Sequence, residues 1–178
     1  MCYACASMIL KEYRNVAGHY HREDGPIEHA NGTKEWWIDG NRHREDGPAI
    51  ERGGGGKEWW VNGVLHRVDG PAVEYADGKF WYVRGERHRV DGPAVEQTNG
   101  TKEWYLNNKL HRTDGPAITQ PNGNKSWWQN NELHRIDGPA VEDVDGNVEY
   151  HLNGKKYSKE QWIHHITQLA AQQVYNED

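Results

Sequence analysis

One motif, His-Arg-x-Asp-Gly-Pro, dominates this sequence. Six copies follow one another every 22 or 23 residues and start at His21, His43, His66, His88, His111 and His134. Each interval also contains an aromatic pair and a turn, as in Trp59-Trp60 followed by Asn62-Gly63. A fixed period of this length indicates an array in which each unit buries its apolar surface against its neighbours. We therefore look for function on a surface that repeats.

Composition restricts what kind of core the repeats can build. Only 35% of the 178 residues are hydrophobic, yet there are nine Trp and nine Tyr. Aromatic side chains bury a large area each, which suits a protein that is only one or two layers deep. The composition therefore predicts a thin, aromatic-rich sheet rather than a thick aliphatic core.

Charge and apolar runs narrow the classes of partner. The net charge is −6 and no basic stripe is present, so duplex nucleic acid is not expected, because neutralising phosphates requires clustered Lys and Arg. No stretch approaches the roughly 18 apolar residues of a membrane helix, so no membrane partner is expected either. Cys2 and Cys5 form one C-x-x-C pair, for which we predict neither a metal nor a stapling disulfide. We expect a cytoplasmic protein.

Three segments are predicted along the chain. Residues 1–18 read as an N-terminal cap, residues 19–157 as six repeats, and residues 158–178 as a helix with a tail. Ser158 and Gln161 form a capping-box pattern at the helix start. The apolar residues that follow at helical spacing are Trp162, Ile163, Ile166, Leu169, Ala170 and Val174.

Within each repeat the pattern has the period of a strand. Asn-Gly and Asp-Gly between short alternating runs are hairpin signals, because both residues tolerate positive φ. We predict two antiparallel strands per unit, Pro71–Tyr75 and Lys79–Val83 in the third, joined to the next unit by the motif loop. A right-handed β-helix with 22-residue coils is the alternative.

The repeat resembles that of the MORN family, whose unit has an aromatic before Asn-Gly, a basic or His residue, a glycine and a distal Asp-Gly turn. The matching residues here are Trp60, Asn62-Gly63, His66, Gly70 and Asp77-Gly78. The chain departs in Pro71 and in its doubled aromatic. The resemblance implies an all-β repeat, an elongated and twisted antiparallel sheet of tandem hairpins, that acts as a non-catalytic scaffold for proteins or lipids. The fuller motif is similar to repeats of uncharacterised bacterial and phage proteins.

The His, Arg and Asp residues of the motif are expected to be structural. One hairpin per unit spaces equivalent residues about 9–10 Å apart, too far for consecutive His rings to share a metal. We expect each Arg to pair with an Asp of its own or an adjacent loop. Asp91 is predicted to be a buried, bonded turn carboxylate.

Strand alternation separates the aromatic pairs onto two faces. The more apolar face is assigned to the core, under Leu65, Leu110 and Leu133, and holds Trp36, Trp59, Trp81, Trp104, Trp127 and Tyr150, with Ile38, Val61, Val83, Leu106 and Leu152. The other face is predicted to meet solvent and holds Trp37, Trp60, Tyr82, Tyr105, Trp128 and His151, flanked by Glu35, Glu58, Glu103 and Glu149. The alternative is that twist covers both faces.

These patterns favour a non-enzymatic protein that binds a protein partner through the aromatic and acidic face. A phage-encoded inhibitor of a host defence complex, acting in the host cytoplasm, is one form of this expectation. The alternative is sequestration of a nucleotide-like or sugar-like ligand, with loop arginines or Arg84 holding phosphate. No cofactor is expected, and a homo-oligomer is compatible with the sequence. The predicted binding residues are Trp37, Trp60, Tyr82, Tyr105, Trp128, Glu58, Glu103 and Arg84.

Overall fold

The chain forms tandem antiparallel β-hairpins followed by one helix. The computed structural model describes residues 13–22 and 25–175, so Cys2 and Cys5 lie outside the described residues. Two compact units are present, residues 1–87 and residues 88–178. Pairing within each unit is antiparallel, which confirms the predicted all-β hairpin repeat with a C-terminal helix and excludes the stacked parallel coils of a β-helix.

The first unit alternates two kinds of hairpin. Neighbours in its main sheet are β1, β2, β5, β6, β9 and β10, and the pairs β3–β4, β7–β8 and β11–β12 form separate two-stranded hairpins. The strands are β1 (Ile27–Glu28), β2 (Lys34–Glu35), β3 (Trp37–Ile38), β4 (Asn41–Arg42), β5 (Ile50–Glu51), β6 (Lys57–Glu58), β7 (Trp60–Val61), β8 (Val64–Leu65), β9 (Val73–Tyr75), β10 (Gly78–Phe80), β11 (Tyr82–Val83) and β12 (Glu86–Arg87).

The second unit repeats the arrangement and adds the helix. Its main-sheet order is β13, β14, β17, β18, β21, β22 and β23, with β15–β16 and β19–β20 as separate hairpins. The elements are β13 (Val95–Gln97), β14 (Lys102–Glu103), β15 (Tyr105–Leu106), β16 (Lys109–Leu110), β17 (Ile118–Thr119), β18 (Lys125–Ser126), β19 (Trp128–Gln129), β20 (Glu132–Leu133), β21 (Val141–Glu142), β22 (Val148–Leu152), β23 (Lys155–Tyr157) and α1 (Lys159–Tyr175).

Each inner repeat therefore contains two hairpins, where the sequence predicted one. The predicted strand Lys79–Val83 breaks at Trp81, between β10 and β11. In the preceding repeat the equivalent Trp59 donates its N–H to the Ala72 carbonyl at 2.8 Å, outside the strand ladder. The second hairpin then closes at a two-residue turn in which φ is positive at both residues, 50° at Asn62 and 77° at Gly63. Both angles match a type I′ turn, which suits the twist of a hairpin.

The most buried side chains belong to the strand that follows each motif. Ala72 and Ala94 have no exposed surface, and Ile50 and Val95 are the largest fully buried side chains of the described residues. Pro-Ala-Val or Pro-Ala-Ile thus builds the core, and the Ala carbonyl accepts the N–H of the first aromatic of the preceding pair, as Ala72 does from Trp59. The buried aliphatic and alanine positions that follow a motif are Ile27, Ala49, Ile50, Ala72, Val73, Ala94, Val95, Ala117 and Ala140, and Leu152 of β22 is buried as well.

In the inner repeats, cross-strand register reverses the predicted assignment of the two faces, whereas Leu152 of the last repeat is buried as predicted. Glu58 lies directly opposite both Ile50 and Val73, and opposite residues of an antiparallel pair point to the same side. The face with Glu58 and Trp60 is therefore the packed one, whereas Ile38 on the face assigned to the core is 37% exposed. The prediction counted apolar residues on one strand and left out the aliphatic strand that pairs with it.

The loop leucines follow the same correction. Leu65 is the cross-strand partner of Trp60 and Leu110 the partner of Tyr105, so these leucines cover the second aromatic of each pair. The sequence had placed them over the first. The short hairpin thus folds its leucine onto the packed face.

The C-terminal helix covers the last repeat. Ser158 Oγ accepts the Gln161 N–H at 3.3 Å and Gln161 Oε1 accepts the Ser158 N–H at 3.0 Å, which confirms the capping box. Trp162 is buried, and its ring lies 5.0 Å from the ring of Tyr150. His165 stacks on Tyr157 at 5.5 Å. Among the described residues, no helix combines the length and the apolar character needed to cross a membrane.

Candidate functional site

The motif arginine is the centre of each loop. The guanidinium of Arg67 lies 4.0 Å from the centre of the Trp59 ring. Its Nε donates to Asp69 Oδ1 at 2.9 Å, and its Nη1 donates to the Pro71 carbonyl and to Glu74 Oε1, both at 3.2 Å. One side chain therefore joins an aromatic ring, the turn and the next strand.

Other repeats show the same contacts. The stacking distances are 4.0 Å for Arg44 on Trp36, 4.1 Å for Arg112 on Trp104 and 3.8 Å for Arg135 on Trp127. In each of these three loops Arg Nε is bonded to the motif Asp at 2.8 Å. The predicted pairing of Arg with Asp is confirmed in the five loops from Arg44 to Arg135, where the Asp belongs to the same loop, and Asp24 of the first loop lies outside the described residues.

The motif glycine makes room for this arginine. A Cβ placed on Gly70 would lie 2.8 Å from Arg67 Cζ, and one on Gly115 would lie 3.0 Å from Arg112 Cζ. Such distances are shorter than van der Waals contact, so a side chain there would push the guanidinium off its ring. The guanidinium is held between the indole on one side and the glycine backbone on the other.

The motif aspartates are exposed, which corrects the expectation of a buried turn carboxylate. Asp91 is 84% exposed and Asp137 is 77% exposed. A hydrogen bond from Arg89 lowers the pKa of Asp91, and the same contact from Arg112 lowers the pKa of Asp114. Asp91 and Asp114 therefore stay charged, and all three carboxylates face solvent while one oxygen of each holds an arginine.

The motif histidine links one repeat to the next. Nδ1 of His66 accepts the backbone N–H of Arg84 at 3.1 Å, and Nδ1 of His111 accepts that of Asn130 at 3.3 Å. In each case the donor is a turn residue with positive φ in the following hairpin. The histidine thus holds a turn that begins 18 or 19 residues further along the chain.

Open grooves lie between consecutive motif loops. In the second unit a groove of about 600 Å³ has Trp127 and Gln129 among its lining residues. Its two walls are the loops Arg112–Pro116 and His134–Asp137. The first unit contains comparable grooves of about 610 and 450 Å³, lined in part by Trp36 and by Trp59. The face assigned to the core is thus a grooved surface.

The variable position of the motif carries exposed apolar residues that the sequence did not single out. Val68 and Ile136 line two of these grooves and are 82% and 61% exposed, and Val90 at the same position of its own loop is 81% exposed. Apolar side chains at a loop tip next to Asp contribute nothing to the core. Their signal was present in the sequence, because a position that varies inside a constant motif is free of the constraints that fix its neighbours.

The second aromatics, predicted to meet solvent, are half-buried and bonded. Trp60 Nε1 donates to Glu58 Oε2 at 2.9 Å, and Trp37 Nε1 donates to Glu35 Oε2 at 3.0 Å. The Arg42 guanidinium lies 5.0 Å from the Trp37 ring and 5.5 Å from the Trp60 ring. These two indoles, a carboxylate beside each and one shared cation form a packed ladder in the first unit.

Glu58 lies at the centre of the most connected polar cluster on this face. It is only 5% exposed and accepts hydrogen bonds from Tyr75 Oη, Arg52 Nε and Trp60 Nε1. Burial alone would raise its pKa, but the hydrogen bonds from Tyr75, Arg52 and Trp60 together lower it. Gly56 allows this packing, because a Cβ there would lie 2.7 Å from the Tyr75 ring.

The remaining predicted binding residues are dispersed. Tyr82 is half-buried and its hydroxyl accepts Arg87 Nε at 3.1 Å. Trp128 donates to Ser126 Oγ at 2.7 Å. Glu103 lies opposite Val95 and Ile118 and is half-buried, like its neighbour Tyr105. Arg84 is exposed at a turn with φ of 53°.

Neither a cluster of metal ligands among the described residues nor a match to a known protein adds to this geometry. In the part of the chain that the structure describes, no three His, Cys, Asp or Glu side chains converge as metal ligands would. No family model and no curated protein matches the chain.

Proposed function

We propose that this chain is a non-enzymatic binding protein that engages a protein partner through its motif edge. Each unit has its own motif edge, formed by the variable residue and the Asp of its loops: Glu45, Asp46, Val68 and Asp69 in the first unit, and Val90, Asp91, Thr113, Asp114, Ile136 and Asp137 in the second.

The observation that carries the proposal is the exposure of this edge. Val68, Val90 and Ile136 are 82%, 81% and 61% exposed. Val68 and Val90 sit beside Asp69 and Asp91, whose pKa values are lowered by hydrogen bonds from Arg67 and Arg89. Exposed apolar groups rimmed by charge are typical of protein interaction sites.

The chemistry of the motif supports binding rather than catalysis. The groups that resemble a catalytic constellation already have structural partners, since His66 Nδ1 holds a turn and Arg67 is stacked and paired. Each repeat performs the same task in the same way. Within each unit, a row of equal contacts gives a partner several anchoring points.

A host complex is the partner class we favour, because the fuller motif resembles repeats of phage proteins. Under this proposal the protein inhibits its target by occupying a surface. The second aromatic face, with Trp37, Trp60 and Glu58, supports the scaffold from within.

The test is capture from bacterial extract, followed by affinity measurement with the purified captured protein. The triple variant V68S/V90S/I136S should weaken that affinity by on the order of 100-fold, because interface energy concentrates in a few apolar anchors. The matched control is V144S/V148S/I163S, which removes three exposed apolar side chains elsewhere, 63%, 47% and 46% exposed. Equal loss in both variants, or none in the first, would contradict the motif edge as the binding surface.

A small-ligand binder is the second candidate. It is favoured by the grooves of about 450 to 610 Å³, a size suited to small molecules. Their walls offer indole, imidazole and guanidinium groups, and Arg84 is an exposed cation nearby in the chain. Native mass spectrometry of protein purified without refolding would show a co-purifying small mass that disappears in Trp127→Ala.

A further inference from the structure

The motif edge of the second unit has the spacing of a particular partner backbone. We propose that Val90–Asp91, Thr113–Asp114 and Ile136–Asp137 bind a partner segment in the polyproline II conformation with a basic residue at every third position. This inference rests on the proposed function and adds the chemistry and the register of the partner.

The spacing follows from the fold. Successive motif loops of this unit are separated by two main-sheet strands, as β13 and β14 precede β17. Two strand separations are about 9.6 Å. The edge thus offers equivalent groups at steps of about that length.

Three kinds of backbone can be compared with this step. A polyproline II segment turns once in three residues and rises about 9.3 Å, so residues i and i+3 point to the same side. An extended strand points residues i and i+3 to opposite sides. Seven residues of an α-helix rise about 10.5 Å. This step differs from the loop spacing by more than the step of a polyproline II segment does, so a helix loses alignment with successive loops sooner.

Charge determines which side chains the segment presents. Asp114 and Asp137 are 79% and 77% exposed, and each uses Oδ1 to accept an arginine Nε at 2.8 Å. Their solvent exposure leaves the second oxygen open to an incoming cation. Arg or Lys at the repeated position would therefore meet a carboxylate at each loop.

Apolar contacts occupy the positions between the cations. Ile136 and Thr113 lie on opposite walls of the groove that Trp127 lines. Proline rings or aliphatic side chains at the two intervening positions would pack against Ile136 and the groove. An aromatic-lined groove is the usual receiver of a polyproline II segment.

Fluorescence anisotropy with labelled peptides tests the register. The probe is four repeats of Arg-Pro-Pro, and the comparison peptide has the same composition with its four Arg residues adjacent. The protein variants are D114N/D137N and the charge-matched control E132Q/D145N, whose side chains belong to exposed residues outside the motif. Thermal unfolding of each variant confirms that the fold is retained.

If every third residue of the peptide meets one motif loop, the periodic peptide should bind on the order of tenfold more tightly than the clustered one. D114N/D137N should remove this preference, and E132Q/D145N should keep it. Equal affinity for both peptides would reduce the effect to net charge and overturn the proposal, as would an equal loss in both variants. Tighter binding of a helical peptide with Arg at every seventh position would also overturn it.

The two proposals can fail separately. If V68S/V90S/I136S loses its protein partner while neither peptide binds, the motif edge is a binding surface for another backbone. If the periodic peptide binds through Asp114 and Asp137 while partner affinity is unchanged in V68S/V90S/I136S, the register is right and the function proposed for the edge is wrong.

Discussion

Inner repeats and the last repeat cover the same aromatic position with different side chains. In an inner repeat Arg135 lies 3.8 Å from the centre of the Trp127 ring. In the last repeat the equivalent ring is Tyr150, and Trp162 from α1 lies 5.0 Å from it. The position that would hold the seventh motif Arg is Ser158, the N-cap of that helix.

The difference shows what the fold requires at this position. Trp162 anchors itself by donating Nε1 to the Arg135 carbonyl at 3.1 Å, whereas Arg135 uses Asp137 and Glu142. The two covers share no chemistry beyond a flat group that lies against the ring and donates a hydrogen bond. The ring needs a cover with a polar anchor, and the helix supplies one where the motif ends.

Removing Trp162, the apolar side chain that covers the ring of Tyr150, should have the largest effect on stability. Trp162→Ala is expected to lower the free energy of unfolding by about 3–5 kcal/mol, because a buried indole is lost and a cavity remains. Ile163→Ala, at a residue 46% exposed on the same helix, should change it by less than about 1 kcal/mol. Urea denaturation followed by circular dichroism measures both, and similar losses would show that the helix is not anchored by its tryptophan.

The carboxylate beside the second aromatic should contribute more to the free energy of unfolding in an inner repeat than in the last one. Glu58→Gln is expected to cost about 1–3 kcal/mol at neutral pH, because buried donors lose a charged acceptor. Glu149→Gln should cost less, since the Glu149 side chain is 41% exposed and its partners Lys156 and His151 lie at the end of the array.

The pH dependence of these variants follows from the sign of the shift. The folded-state pKa of Glu58 is lowered, so its contribution is complete above its ordinary pKa and is lost as pH falls through the lowered value. Stability curves of wild type and Glu58→Gln should therefore converge in acid. Curves that stay parallel between neutral and acid pH would show that the cluster acts through packing alone.

Crowding the arginine that covers an inner aromatic ring with one added methyl group should have an intermediate effect on stability. Gly115→Ala places Cβ 3.0 Å from Arg112 Cζ, and crowding of this kind typically costs about 1–2 kcal/mol. Gly54→Ala is the control, since a Cβ there meets nothing within 4 Å. The melting temperature should fall for the first and stay level or rise slightly for the second. A neutral Gly115→Ala would show that the guanidinium can leave its ring without cost.

The smallest effect on stability is expected for Asp91, the exposed hydrogen-bond partner of Arg89 in an inner repeat. Asp91→Asn keeps an acceptor for Arg89 and removes a charge that is 84% exposed. Its melting temperature should shift less than that of Gly115→Ala, and the shift should shrink further at high salt. A salt-independent shift as large as that of Gly115→Ala would mean that the carboxylate, rather than the ring, positions the arginine.

The repeat and its turns were predictable from the sequence, and the faces were not. Asn62-Gly63 is a strong local signal, because its positive φ angles depend on the two residues themselves. The face of Trp60 depends instead on the register that sets Glu58 opposite Ile50 and Val73, residues of other strands. The break at Trp81 depends in the same way on tertiary hydrogen bonding.

The same distinction between local and long-range contacts applies to the candidate site. Pairing of Arg67 with Asp69 could be predicted, since the two residues are neighbours in one loop. The variable position of Val68 signals that it lies outside the core, but how far Val68 and Asp69 are exposed depends on how far the loop projects from the strands. The buried cluster of Glu58, Arg52 and Tyr75 joins three strands or turns and has no signature in any one of them.

The histidine bond to the next turn makes the length of this protein adjustable. Deleting residues 112–134 removes 23 residues and joins His111 to Arg135, which restores an intact His-Arg-Ile-Asp-Gly-Pro motif. His111 Nδ1 would then meet the N–H of Asn153 in place of Asn130, since His134 holds that turn now. Gene duplication or loss of one such period would thus add or subtract a complete module, and an evolving lineage could match the number of modules to the length of its target without redesigning any of them.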